Sequence, residues 1–130
     1  MNKRILIVDD DQQIQSFLQD LLQEEGYEVE TASDGLLALE QIAHGSGYVI
    51  ILLDLRMPRM DGIQFLQALQ QQRQVSLPPI IAYSGDSNAI KQAALMGTCC
   101  VLAKPFDLEH LLTLILTHEI HTPHVTEPDV

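Results

Sequence analysis

The sequence predicts an α/β fold, a parallel five-stranded sheet with helices packed on both faces. Three observations carry that prediction. Short apolar runs alternate five times with amphipathic helical patterns, and parallel neighbours need crossover connections, which are right-handed. The middle run, Val49-Ile50-Ile51-Leu52-Leu53, has no polar residue and is too short for a membrane span, as expected of a central strand covered on both faces. Four of the five runs lead into a reactive group: Asp9 and Asp10, Asp54, Ser84, and Lys104.

The first strand is Arg4-Ile5-Leu6-Ile7-Val8. Asp11 caps a helix in which Ile14, Phe17, Leu18, Leu21 and Leu22 recur at the spacing of one face, and Gly26 closes it. Glu28 to Ala32 alternates like a half-exposed edge strand. Ser33-Asp34-Gly35 starts a second helix with Leu36, Leu39, Ile42 and Ala43 expected inward, ended by Gly45-Ser46-Gly47. After the central strand, Asp61-Gly62 shapes a loop and starts a third helix marked by Ile63, Leu66 and Leu69, which fades into the polar stretch Gln70 to Gln74. Pro78-Pro79 forbids helix, Ile80 to Tyr83 is the fourth strand, and Ser84-Gly85-Asp86 is its turn. A short helix with Ile90, Ala93 and Ala94 inward leads to a fifth strand, Cys99 to Ala103. Asp107 caps a last helix carrying Leu108, Leu111, Leu112 and Ile115. One domain is expected over residues 1–119, with 120–130 as a flexible tail.

Bulk properties narrow the function. With 130 residues and 46% apolar composition, the chain is long enough for one domain with a real core. A formal net charge of −11 with only seven Lys and Arg argues against direct nucleic-acid binding. No signal-like start or membrane-length apolar run is seen, so a soluble cytoplasmic protein without membrane insertion is expected. Cys99 and Cys100 should point to opposite faces of a strand and stay as buried, reduced thiols. His118, His121 and His124 read as a solvated tail, since zinc needs about four converging ligands.

The strand-end groups carry the chemistry. Parallel strands share one carboxyl edge, where ligands bind in open sheets, so Asp9, Asp10, Asp54, Ser84 and Lys104 converge although scattered in sequence. Crowded carboxylates repel, and a hard divalent cation held by oxygens relieves them; Mg²⁺ suits a site with few protein ligands and a phosphate oxygen. A carboxylate nucleophile, a lysine and a hydroxyl beside such a cation suit phosphoryl transfer, which needs mainly positioning and charge stabilisation.

These motifs together resemble the receiver domain of two-component response regulators, the CheY-like family. The likeness covers about residues 3 to 119. It rests on Ile-Leu-Ile-Val-Asp9-Asp10-Asp11, on Leu53-Asp54-Leu-Arg-Met-Pro58-Arg-Met-Asp61-Gly62, on Ser84 after the fourth strand, and on Lys104-Pro105-Phe106. It implies a flavodoxin-like three-layer sandwich of strand order 2-1-3-4-5. It also implies that Asp54 is the phosphoacceptor, taking a phosphoryl group from a phosphohistidine of a sensor kinase or histidine phosphotransfer protein. Asp10, Asp54 and the backbone carbonyl of Arg56 would hold Mg²⁺, with Asp9 acting through water. Lys104 would pair with the acceptor and then with a phosphoryl oxygen, and Ser84 would turn inward to the phosphoryl group. Pro105 would follow a cis bond.

The chain departs from the family where Tyr or Phe usually lies three residues before the strand-five lysine, since Val101 stands there. Val101 cannot report by an aromatic rotamer change, so signalling is expected to rest on the Ser84–Asn88 loop. Tyr83 should point to the other face of the sheet and is no substitute. Arg56 and Asp86 should overhang the site as a charged lid that modulates phosphate lifetime. No output domain follows, so the expected role is a stand-alone switch docking on a downstream target protein. The alternatives are a phosphorelay intermediate or the excised receiver of a hybrid kinase. An aspartyl-phosphate phosphohydrolase is disfavoured, because Arg56 occupies the position where such enzymes carry an acid–base aspartate. Leu114, Leu116 and Ile120 leave apolar surface for a homodimer through the face of helix four, strand five and helix five.

Overall fold

The computed structural model describes residues 3–45, 47–72 and 77–119. Strands and helices alternate as β1 (Arg4–Val8), α1 (Gln12–Glu24), β2 (Glu28–Ala32), α2 (Gly35–His44), β3 (Tyr48–Asp54), α3 (Gly62–Gln71), β4 (Ile80–Ser84), α4 (Ser87–Ala94), β5 (Cys100–Ala103) and α5 (Leu108–His118). All pairings are parallel, in the order β2-β1-β3-β4-β5. Central β3 is longer than its apolar run, because Tyr48 and Asp54 are also in the strand and buried. The helix caps follow the aspartates: Asp11, Asp34, Asp61, Asp86 and Asp107 each accept a backbone N–H at the start of the next helix. At Asp61 the bond is reciprocal, with the Gln64 side chain accepting from the Asp61 N–H at 3.0 Å.

Period-two alternation splits the core into two layers. Ile5, Ile7, Ile50, Leu52, Ile81, Tyr83 and Leu102 face Leu18 and Leu22 of α1 and Leu111 and Ile115 of α5. Leu6, Val8, Ile51, Leu53 and Ala82 face α2, α3 and α4 through Ala38, Ile42, Phe65, Leu66, Leu69 and Ala93. Among the described residues, no helix is long and apolar enough to cross a membrane.

Several side chains lie elsewhere than their spacing suggests. Leu36 and Ala43 of α2 are exposed, and the buried stripe is Gly35, Ala38 and Ile42. The start of α2 lies hard against the loop after β3, where the Gly35 N–H donates to the Met60 carbonyl at 3.1 Å. That contact rotates the small residues inward. Phe17 is also exposed, as is Ala94, while Phe65, unmarked by the helical pattern, is fully buried.

Cys99 is exposed in a bend before β5 and Cys100 is half-buried, so they are less buried than expected, while both are free thiols as expected. Partial burial and the adjacent Cys100 push the Cys99 thiol up to about 12. His118 is the last residue of α5, half-buried and not part of a tail. Ser46, Arg73, Gln74, Ile120, His121, His124 and the rest of the expected tail lie outside the described residues.

Candidate functional site

The carboxyl edge of the sheet brings the strand-end groups together. Asp54 closes β3 and is 4% exposed. Its Oδ1 accepts the Arg56 backbone N–H at 3.2 Å and lies 3.9 Å from the Lys104 ammonium. The carboxylates of Asp9, Asp10 and Asp54 each offer an oxygen within 4.8 Å of the others. Asp9 and Asp54 are buried, whereas Asp10 faces solvent. Burial, and next the Asp9 charge, push Asp54 up to about 7, against the opposing pull of the Arg56 N–H and Lys104. An edge this short of positive charge, built from hard oxygen donors, fits a divalent cation of the Mg²⁺ kind. Beside it, Asp10, Leu55, Arg56, Met57, Pro58 and Asp61 line a hollow of about 290 Å³.

Backbone pairing sets these positions. The Leu55 N–H donates to the Tyr83 carbonyl at 3.0 Å and the Lys104 N–H to the Ser84 carbonyl at 2.9 Å, which locks the ends of β3, β4 and β5 together. The Lys104–Pro105 peptide bond is cis. The loop after β3 is tied to α2 by an Arg59–Asp34 ion pair. Burial alone would raise the Asp34 carboxyl, but the Leu37 N–H and the Arg59 guanidinium together hold it below its ordinary value.

Ser84 is buried, and its hydroxyl oxygen accepts the Asp86 N–H at 3.0 Å, which leaves the hydroxyl proton available to an anion. Arg56, exposed, and Asp86, half-buried, approach to 3.7 Å across the mouth of the site. Val101 lies half-buried opposite Ala82, in the layer of α3 and α4.

Tyr83 is the member of this constellation that alternation concealed. Its ring does point to the α1 and α5 layer, as expected, but its hydroxyl reaches back to donate to Asp9 Oδ2 at 2.6 Å. The ring also lies 5.2 Å from the Lys104 ammonium and 5.3 Å from the Phe106 ring. Tyr83 thus braces the acidic cluster from beneath and flanks the lysine. Asp9 Oδ1 accepts from the Asp11 N–H at 2.9 Å, so both oxygens of this buried carboxylate are engaged. Tyr83→Phe is expected to cost about 1.5–3 kcal/mol of stability, as for a hydrogen bond to a buried charge. Urea denaturation at neutral pH measures it, and an unshifted midpoint would mean that the hydroxyl contributes nothing to holding Asp9.

The profile described as the response regulator receiver domain matches residues 5–116. Response regulator MprA of Mycobacterium ulcerans is 40% identical over 113 residues, covering 86% of this chain and 48% of the relative. The sporulation initiation phosphotransferase F of Bacillus subtilis is 33% identical over 111 residues, covering 85% of this chain and 89% of the relative. The chain spans about half the length of some curated relatives, MprA among them. Among solved structures, the chemotaxis protein CheY4 of Vibrio cholerae superposes with a TM-score of 0.80 at 32% identity, covering 91% of this chain and 99% of that one. The response regulator TrrA of Thermotoga maritima, solved in complex with Mg²⁺-BeF, superposes with a TM-score of 0.77 at 30% identity, covering 88% and 97%. With its strand order, its acidic edge and these relatives, the chain belongs to the response regulator receiver domain family of two-component signalling.

Proposed function

We propose that this chain is a phosphorylation-controlled switch in which Asp54 accepts a phosphoryl group from the phosphohistidine of a kinase or phosphotransfer protein. The observation that carries this reading is the placement of Asp54, with the Lys104 ammonium at 3.9 Å and the carboxylates of Asp9 and Asp10 within 4.8 Å. In the transfer, an ionised Asp54 oxygen attacks phosphorus, the phosphorus–nitrogen bond breaks, and its electron pair leaves with the imidazole, which then takes a proton. Asp10, Asp54 and the Arg56 carbonyl would hold Mg²⁺, with Asp9 acting through water. Bound there, the ion would supply the positive charge that keeps Asp54 ionised and neutralises the phosphoryl oxygens. Lys104 pairs with the acceptor oxygen before transfer and with a phosphoryl oxygen after it, and Ser84 donates its hydroxyl proton to the phosphoryl group.

Moving Ser84 onto a phosphoryl group gives up its bond from the Asp86 N–H, and Asp86 caps α4. With Val101 in the usual aromatic position, the signal passes through the Ser84–Asn88 loop to the surface of α4. A downstream protein reads that surface. Residues 1–119 form the receiver, in the cytoplasm, acting alone or as part of a longer protein. Leu116, 60% exposed on α5, leaves room for a homodimer through the face of α4, β5 and α5. A relay role is the second reading, favoured by the likeness to a relative named as a phosphotransferase over 89% of its length. Fast return of the phosphoryl group to a histidine phosphotransfer protein separates the relay from a docking switch.

Intact mass spectrometry after incubation with acetyl phosphate tests the site. One phosphate adduct is expected with Mg²⁺, none without it, and none in Asp54→Asn. An adduct that persists in Asp54→Asn would place the acceptor elsewhere.

The Arg56–Asp86 pair hinders water from reaching the acyl phosphate. Asp86→Ala would also remove a helix cap, at about 1 kcal/mol, so Asp86→Asn is the cleaner change because Asn caps as well as Asp. It is expected to shorten the phosphate lifetime a few-fold, since exposed pairs contribute under about 1 kcal/mol. A lifetime unchanged or longer in Asp86→Asn would remove the lid.

A further inference from the structure

A second cluster of ligand atoms lies at the amino end of β5, away from Asp54. Parallel β5 starts there at Cys100, and α5 returns to the same end to finish at His118. The sulfurs of Cys99 and Cys100 and a ring nitrogen of His118 lie within 4.8 Å of one another. In a continuous strand neighbouring side chains diverge. Here Cys99 sits in a bend just before the strand, its N–H held by the Ile80 carbonyl at 2.9 Å, and both sulfurs come to the same ring nitrogen.

We propose that Cys99, Cys100 and His118 form a binding site for a soft d¹⁰ cation, Zn²⁺ or Cu⁺. Thiolate and imidazole donors select such ions, whereas Mg²⁺ and Ca²⁺ take oxygen. Bonds of about 2.3 Å to sulfur and about 2.0 Å to nitrogen place tetrahedral ligands roughly 3.5–3.8 Å apart. The observed spread of 4.8 Å or less therefore closes on an ion through small side-chain rotations. Cys99 is exposed while Cys100 and His118 are half-buried, which gives an entry path and leaves a fourth position to water.

The site is also held in place before any ion arrives. Glu119, next to His118, is 5% exposed, accepts the Tyr27 hydroxyl at 2.6 Å and pairs with Lys3. Those contacts fix the end of α5, while β5 holds Cys100 and the bond from the Cys99 N–H to the Ile80 carbonyl holds Cys99. An ion there ties α5 to the start of β5 and is separate from the carboxylates at the other edge.

The test uses the full chain, reduced and stripped of metal. Titration with Co²⁺ is expected to give a sulfur-to-cobalt charge-transfer band that saturates at one equivalent and is displaced by Zn²⁺. Chelator competition under anaerobic conditions measures Zn²⁺ and Cu⁺ separately and decides which is held more tightly. Cys99→Ser and Cys100→Ser should each abolish or greatly weaken the band. His118→Ala should lower affinity at least about tenfold, as loss of a ligand should exceed loss of a group that merely supports one. Circular dichroism of each variant checks that it is folded. Asp10→Asn should keep the band, because its carboxylate belongs to the other site. The proposal is overturned if folded Cys99→Ser and Cys100→Ser bind Co²⁺, Zn²⁺ and Cu⁺ as the parent does. It is equally overturned if binding disappears in Asp10→Asn and persists in the cysteine variants.

Discussion

Gly62→Ala is expected to lower the unfolding free energy by about 2–4 kcal/mol, a core-overpacking cost raised by immovable backbone. Gly62 is buried at the start of α3, and its N–H donates to the Leu55 carbonyl at 3.1 Å. A methyl group there would stand 2.6 Å from Leu55 Cα and 2.8 Å from the Asp54 carbonyl oxygen. Neither contact is the far end of a flexible side chain, so the loop or the helix must shift. The backbone that would shift also carries Asp54 and the Arg56 N–H, so phosphorylation by acetyl phosphate should slow as well. Gly85→Ala is the control, since a methyl group there meets nothing within 4 Å. Its urea midpoint should stay within about 0.5 kcal/mol of the parent. Equal midpoints for Gly62→Ala and the parent would mean that the backbone beside Asp54 has slack.

The strands were legible because a sheet covered on both faces needs apolar runs such as Val49 to Leu53, which few other structures require. Aspartates before helical runs were legible too: Asp11 and Asp107 cap as expected, and Asp34 and Asp61 cap the helices they were expected to start. Asp86, read only as a turn and lid residue, caps α4 as well. Helix faces were less legible. In α2 the buried stripe is Gly35, Ala38 and Ile42, and a reading weighted by side-chain size prefers Leu36. Close approach of α2 to Met60 decides the rotation, and that approach is tertiary. Phe17 is similar: the period puts it near Leu18, yet it finishes at the rim of a cleft with Ile14, Lys104 and Phe106.

Convergence of Asp9, Asp10, Asp54, Ser84 and Lys104 followed from parallel topology alone, since every strand delivers its last residue to the same edge. Reach was not legible. Alternation assigns Tyr83 to a face, but a tyrosine is long enough for its hydroxyl to return to Asp9 at the edge of the sheet. Cys99 shows the same limit from the backbone side. One bent residue before β5 cancels the divergence that alternation predicts, and His118 approaches from an element distant in sequence.

Asp54→Asn is expected to make the metal-free protein more stable at pH 8, the opposite of what replacing a buried charged group usually does. The Asp54 carboxyl stands near 7 in the folded chain against an ordinary 3.8, because it is buried and faces Asp9. The folded state therefore holds a proton that the unfolded chain has released. Between these values the folded state binds more protons, so stability falls as pH rises from about 4 to about 7 and levels off above. Taken at face value, three units at about 1.36 kcal/mol each would give roughly 4 kcal/mol. Solvent screening and coupling to Asp9 reduce this to about 1–3 kcal/mol. Asparagine carries no charge to crowd, so the variant should gain that amount at pH 8 and converge with the parent near pH 4.5. Urea denaturation at both pH values in a chelator measures it. Mg²⁺ added at pH 8 should raise the parent more than Asp54→Asn, because only the parent has the full set of carboxylates to relieve. Equal stability of the two proteins at pH 8 would mean that Lys104 already neutralises Asp54, and that the acidic edge holds no unspent repulsion for a cation to remove.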